Sequence, residues 1–281
     1  MRLACRSKDQ QASASVPTQP IGGARGRAAP HWRAKSLKPS SSRKGNEFLL
    51  IILALGAPED THRKLVEAAA KAGVQYVLTN AYGVDVYGKP GLQDALPVGK
   101  AIVENIEHAG SSGLTWFSMF TALGYEYGLS YGTDLLGIDK KNRTATFFDD
   151  GKKPIEFTTI SQLVRAAVAL LNLEVLPDNK NDKSVTLSQF FNRPVYVSSF
   201  HPSQADILES IKRVTGKEES EWRVSYESGK QSYEDGMKLI SEGNPAGFAK
   251  AIFARAHYAG YLAPVDELYA KYDREGLQAA R

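Results

Sequence analysis

The residues best placed to do chemistry are Thr79, Asn80, Ala81, Tyr82 and Gly83, which follow a short apolar stretch ending at Leu78 that reads as a β-strand. Open parallel sheets bind ligands outside the carboxyl ends of their strands, and a Thr-Asn pair there offers a hydroxyl, an amide donor and an amide acceptor. The alternative is an ordinary strand exit in which Asn80 bonds the backbone. Phe120, Thr121 and Tyr125 occupy the same place after the next apolar stretch and suit the wall of an aromatic substrate pocket, although core packing accounts for Phe120 equally well. Lys100 lies between the two, on a stretch of helical periodicity. An ammonium facing a partly dry pocket can hydrogen-bond a developing oxyanion or shuttle a proton. Four residues from Glu104 and off the stripe of Val98, Ile102, Val103 and Ile106, it can also be a solvated lysine in an ion pair.

Other chemistries fall away. His31, His62, His108, His201 and His257 are scattered and Cys5 is the only cysteine, so no metal site is expected and each histidine reads as solvated or capping. There is no Gly-x-Ser-x-Gly elbow and no phosphate-binding Gly-x-x-x-x-Gly-Lys loop, which removes the usual hydrolase and nucleotide-triphosphatase readings. The only glycine-rich spelling, GARGRAA at 23–29, follows no strand and precedes Pro30. The lone cysteine excludes an intrachain disulfide, and the longest apolar run, about ten residues from Phe48, is half of what a spanning helix needs.

Charge divides the chain. Residues 1–45 hold ten basic side chains and one acid, so the overall +4 less the head's +9 leaves −5 on the remaining 236 residues. A mildly acidic body argues against a nucleic-acid surface, and the pI of 8.9 describes the head. That head, rich in Arg, Ser and Pro, is expected not to pack. Its composition allows a mitochondrial transit peptide, against a default cytoplasmic location, although its prolines interrupt the amphipathic helix such peptides form.

From Phe48 the pattern is that of an α/β fold. An apolar run over 48–55 reads as a doubly buried strand; Pro58, Glu59 and Asp60 open a helix that Gly73 stops; 74–78 is the next strand. A Gly/Pro-rich loop over 83–97 leads to a helix from Pro97 and a strand at 114–120. Residues 143–148 and 154–158, separated by Asp149, Asp150 and Gly151, are expected to form a hairpin. Thr159 and Gln162 form a capping box before a helix with Leu163, Ala167, Leu170 and Leu171 inward. A strand at 195–199 precedes a helix opened by Ser203 and Asp206, with Ile207, Leu208, Ile211 and Val214 inward; Ser199 and Ser203 read as caps. Residues 217–281 are weakly patterned, with a helix or two.

Several segments in this order resemble the NmrA-like group of atypical short-chain dehydrogenases, which includes the isoflavone reductase-like enzymes: KLVEAAAKAGVQYVLTNAYG (64–83), GLTW (113–116), YEYGL (125–129), GIDKKNRTAT (137–146), DDG (149–151) and SFHPSQ (199–204). The resemblance covers roughly 48–222. It implies a Rossmann-type parallel sheet with a smaller α+β substrate-binding lobe, NADP or NAD as cofactor, and reduction of a small aromatic or conjugated molecule by hydride transfer, or else a non-catalytic nucleotide-sensing regulator. It further implies Lys100 as the catalytic residue, Gly56, Thr79, Asn80 and Ala81 beside the cofactor, and Tyr82, Phe120, Thr121 and Tyr125 beside the substrate. The expected organisation is a basic segment over 1–45 and one NAD(P)-binding domain over 46–281, with a small-molecule substrate, no nucleic acid, no membrane, and homo-oligomerisation allowed. The chain departs from the family at its start. Where members carry a strand, a glycine-rich loop, a helix and two further strands, this chain carries the basic head, so the Rossmann sheet is expected to be incomplete on its N-terminal side.

Overall fold

Four parallel strands form the central sheet: β3 (Leu49–Ile51), β4 (Tyr76–Leu78), β5 (Thr115–Phe120) and β10 (Arg193–Tyr196), in the order β10-β5-β4-β3. The computed structural model describes residues 2–6, 11–15, 49–51, 60–216 and 221–258. Side chains on successive positions of these strands point to opposite faces. Val77 and Trp116 therefore meet Val66 and Ala69 of α1 (Thr61–Lys71) and Val103, Ile106 and Ala109 of α3 (Gly99–Ser111) on one face. Leu78, Phe117, Met119 and Val195 meet Ala166 and Leu170 of α5 (Ile160–Asn172) on the other. With both faces covered the strands must be apolar throughout, which is why the sequence shows short continuous runs here. The Rossmann-type reading is met: the sheet is parallel and its β3 side is where the family's earlier strands would stand.

The basic head contributes two strands where no packed structure is expected. β1 (Arg2–Arg6) and β2 (Gln11–Ser15) pair antiparallel, and β1 runs beside β3 without joining its ladder. Small and alternating residues over these stretches suit an extended chain.

A second, three-stranded sheet builds the lobe: β7 (Ile138–Asp139), β8 (Thr144–Phe148) and β11 (Arg223–Glu227), in the order β11-β8-β7. Here the expected hairpin is overturned. β8 pairs antiparallel with β7 and parallel with β11, whereas the segment after the Asp-Asp-Gly turn becomes β9 (Phe157–Thr158) and pairs with β6 (Leu123–Gly124). The turn does form, with Asp149 and Gly151 at positive φ. Asp149 N, however, donates to Glu227 O, and Gln204 Oε1 takes the N–H of Phe148, so β8 already has its partners when the chain leaves the turn. Tertiary pairing outweighs the local turn signal.

Other differences are local. A short helix, α2 (Pro90–Ala95), occupies part of the expected loop, and α3 starts at Gly99 rather than Pro97. Gly99 sits so close to the carbonyl of Gln93 that a Cβ would collide with it. Thr159 caps α5 by accepting from Gln162 N, but the side chain of Gln162 turns to Arg165, so the box is half made. The full capping box belongs to Ser203 and Asp206 at the start of α6 (Gln204–Thr215). In that helix Val214, expected inward, is 81% exposed, because the helix outruns its support and ends on the left-handed Gly216. The weakly patterned end supplies β11 as well as α7 (Gly229–Ser241) and α8 (Ala246–His257). Gly236 and Gly247 face the opposing helix backbone and let α7 and α8 approach at a distance no side chain would allow.

Candidate active site

At the carboxyl end of the central sheet four segments are tied together by backbone hydrogen bonds. Thr121 N and Ala122 N both donate to Gly83 O, joining the loop after β4 to the segment after β5. Two residues on, Leu123 N donates to Glu156 O, and the β6–β9 pairing brings in Phe157 and Thr158. Phe157 N in turn donates to Phe200 O, Ser199 N donates to Phe157 O, and the Thr158 hydroxyl donates to Val197 O. The segment after β10 thereby closes the row. Ala122, at φ 53°, is the bend that lets the chain leave β5 and turn into β6.

Most residues expected at the site stand in this row. Thr79 is buried, with its hydroxyl 2.6 Å from that of Ser118 and 3.3 Å from the carbonyl of Phe117. Asn80 Oδ1 is buried and has no donor, so the expectation of a backbone bond from this amide oxygen is not met. Ala81 is buried against the α1–α3 side of the core. Tyr82 packs beside Leu78 and the α5 cluster, and burial raises the pKa of its phenol. Thr121 is buried behind its bond to Gly83. Tyr125, at the start of α4 (Tyr125–Ser130), stands edge-on to Phe200 with ring centres 4.8 Å apart and to Phe157 at 5.9 Å. Phe120, by contrast, is a core residue: fully covered and stacked on Tyr196 at 6.1 Å. Gly56 lies outside the described residues.

Lys100 does not join the row. It stands in the first turn of α3 with a side chain 71% exposed and its Nζ 2.9 Å from Asp94 Oδ1, the carboxylate that raises its pKa. The partner expected from spacing, Glu104, acts on it only weakly.

Two features escaped the sequence reading. Asp85 is a buried carboxylate that accepts from Gly88 N at 2.7 Å and from the Tyr196 hydroxyl at 2.8 Å, pinning the loop after Gly83 to the end of β10. Glu156 is buried between Ile155 and Phe157; the Ser198 hydroxyl donates to its Oε2, and His201 Nδ1 lies 3.9 Å from its Oε1. A single acid between two apolar residues of a strand was the available signal for Glu156, but the pattern also fits an outward-facing position.

Among the described residues no group of His, Cys, Asp and Glu side chains is arranged to hold a metal ion, and no helix is long and apolar enough to cross a membrane. An open hollow of about 450 Å³ between Gly73, Gln75, Ser112 and Thr115 lies at the opposite, amino-terminal edge of the sheet. Its lining is turn backbone and carries no charged side chain, so the carboxyl edge remains the place for a ligand.

No protein-family model and no curated protein matches the chain. Solved structures do. The chain is 16% identical to an isoflavone reductase, over 79% of this chain and 70% of that one, with a TM-score of 0.56. It shares the fold of that reductase. AtPrR2 with NADP+ and (+)pinoresinol is 16% identical over 83% of this chain and 74% of its own, at a TM-score of 0.55. The Citrobacter sp. triphenylmethane reductase complexed with NADP(H) is 15% identical over 83% and 76%, at 0.52. The likeness agrees with the resemblance read from the motifs at 64–83 and beyond, and it places the β4 and β5 loops of this chain on a Rossmann-type scaffold.

Proposed function

We propose that this protein is an NAD(P)-dependent reductase of a small aromatic or conjugated molecule. The observation that carries the reading is the carboxyl edge of the sheet, where the buried, donorless Oδ1 of Asn80 stands one residue from Tyr82 on a fold shared with proteins crystallised with NADP+ or NADP(H). An orphaned acceptor at this depth is a cost unless a ligand supplies the donor. The amide or ribose hydroxyl of a nicotinamide riboside is such a donor, so these residues fit the cofactor's nicotinamide half. Asn80 would hold it, Thr79 and Ala81 would floor it, and Gly56 would adjoin it from the end of the preceding strand. The bound nicotinamide supplies a hydride. Tyr82, Thr121 and Tyr125, with Phe200 edge-on to Tyr125, form an aromatic wall for the acceptor molecule. Lys100, catalytic by resemblance, is the position to substitute alongside them.

The test is a calorimetric titration of the full chain with NADPH and with NADH, with circular dichroism as the check of folding. Micromolar affinity, about −8 kcal/mol, is expected for at least one of the two. A folded chain that binds neither would overturn the reading. The glycine-free stretch ahead of β3 favours a second reading, a regulator that binds a partner without turnover, and that result would select it.

A further inference from the structure

The one carboxylate buried at this edge of the sheet with an imidazole beside it is Glu156, and the arrangement around it has a direction. Its Oε2 accepts from the Ser198 hydroxyl; its Oε1 faces His201 Nδ1 at 3.9 Å. The carboxylate side chain is 6% exposed and the imidazole 36%. One ring nitrogen therefore looks inward to a fixed anion, and the ring's other edge is open to the surface. Because the serine bonds the carboxylate and not the imidazole, the trio is no nucleophile–base–acid relay, and Ser198 acts only as a second anchor for Glu156. A carboxylate that holds Nδ1–H leaves Nε2 as the atom that exchanges a proton with whatever occupies the cleft. The 3.9 Å separation is longer than a hydrogen bond, as in many sites before substrate tightens them.

The dyad stands in the site's own row. Glu156 is bonded through its carbonyl to Leu123, two residues from Thr121, and His201 follows Phe200, whose ring stands edge-on to Tyr125. Lys100 lies elsewhere, in water beside Asp94.

We propose that His201, held by Glu156, is the proton donor of the reductase, and that the substrate class is a conjugated or quinonoid carbonyl whose oxygen needs that proton; the inference rests on the reductase reading above. When hydride enters one end of the conjugated system, its π pair moves to the carbonyl oxygen. There the O–H bond forms as the Nε2–H bond of His201 breaks, and the neutral ring regains its proton from water. The acceptor gains one hydride and one proton, and the nicotinamide is oxidised by two electrons.

Two measurements test it on the full chain. The first needs no cofactor. Long-range ¹H–¹⁵N spectra of the imidazoles, with His201→Gln identifying the resonance, are expected to show the Nδ1–H tautomer for His201 and its loss in Glu156→Gln. An Nε2–H tautomer, or one indifferent to Glu156→Gln, overturns the proposal. The second is NADPH oxidation with 1,4-naphthoquinone as the probe. His201→Gln is expected to lower kcat on the order of 10²-fold or more, the scale of general acid catalysis, and to abolish the limb of the pH profile that falls as pH rises. Its naphthoquinone KM and NADPH Kd are expected to stay within about twofold of wild type, the signature of an interaction made only in the transition state. Turnover with kcat and the pH limb intact in His201→Gln sinks the proposal and leaves the reductase standing. NADPH binding by wild type without turnover of so reactive an acceptor also counts against the proposal, whereas a folded wild-type chain that binds neither nucleotide removes the reductase reading and the proposal together.

Discussion

Lys100 with Asp94 and His201 with Glu156 are both cation–carboxylate pairs at ends of secondary structure, yet they differ in where the carboxylate sits. Asp94 is 75% exposed and Glu156 is 6% exposed. An exposed pair is screened by water and its partners swing freely, so its geometry carries little energy or orientation. A buried carboxylate is held by its surroundings, here by Ser198 and by the β6–β9 pairing, and it orients whatever faces it. Burial of the anion, rather than the identity of the cation, decides which pair is built for proton transfer.

The sharpest way to break the comparison is kinetic. The loss of kcat in His201→Ala is expected to exceed that in Lys100→Ala by roughly tenfold or more, measured with NADPH and a quinone; the reverse order would return the proton to Lys100 and to the reading by resemblance.

Acid offers the next largest effect, through two histidines that have no carboxylate at all. His257 and His62 are buried and each titrates at about 4, down from 6.5, chiefly because burial disfavours the charged ring. His108 beside His62 adds to the effect, whereas at His257 the carbonyl of Phe253 partly offsets it. A depressed folded-state value means that the unfolded chain binds the proton first. The stability held above pH 6.5 is therefore lost as pH falls toward 4, by roughly 2–3 kcal/mol for each ring. Urea midpoints at pH 7 and pH 4.5 should show the fall, and His257→Phe should flatten part of it; a flat wild-type profile would contradict the burial of these rings.

Removing the anions themselves should separate the pairs by stability. Glu156→Ala strips a buried hydroxyl of its acceptor and is expected to cost about 1–3 kcal/mol by chemical denaturation, whereas Asp94→Ala should leave the midpoint unmoved. Smallest of all, raising the salt concentration should weaken the Lys100–Asp94 pair without changing the His201 tautomer.

How much of this was legible beforehand depended on range. The strands at 74–78 and 114–120, the α1 and α5 helices and the Ser203 cap are written in local pattern, because apolar runs and capping side chains act within a few residues. The place of Thr79–Gly83 beside Thr121 followed from the same logic, since two adjacent parallel strands must end side by side. The hairpin at the Asp-Asp-Gly turn failed because its strands found partners 18 and about 80 residues away in β6, β7 and β11 rather than each other. His201 and Glu156 were passed over for a related reason. Each is unremarkable within its own segment, and they lie 45 residues apart in the chain.

By itself, then, the sequence determined a parallel α/β sheet, a charged head set apart from an acidic body, and the loops at which a ligand would sit. Periodicity and composition express how each segment partitions between water and core, and that is local information. Only the tertiary structure decided that Lys100 faces water, that Asn80 keeps an unanswered acceptor, and that Glu156 stands buried behind His201. Those depend on which surfaces meet, and pairing across 40 to 80 residues leaves no mark on any single stretch of chain.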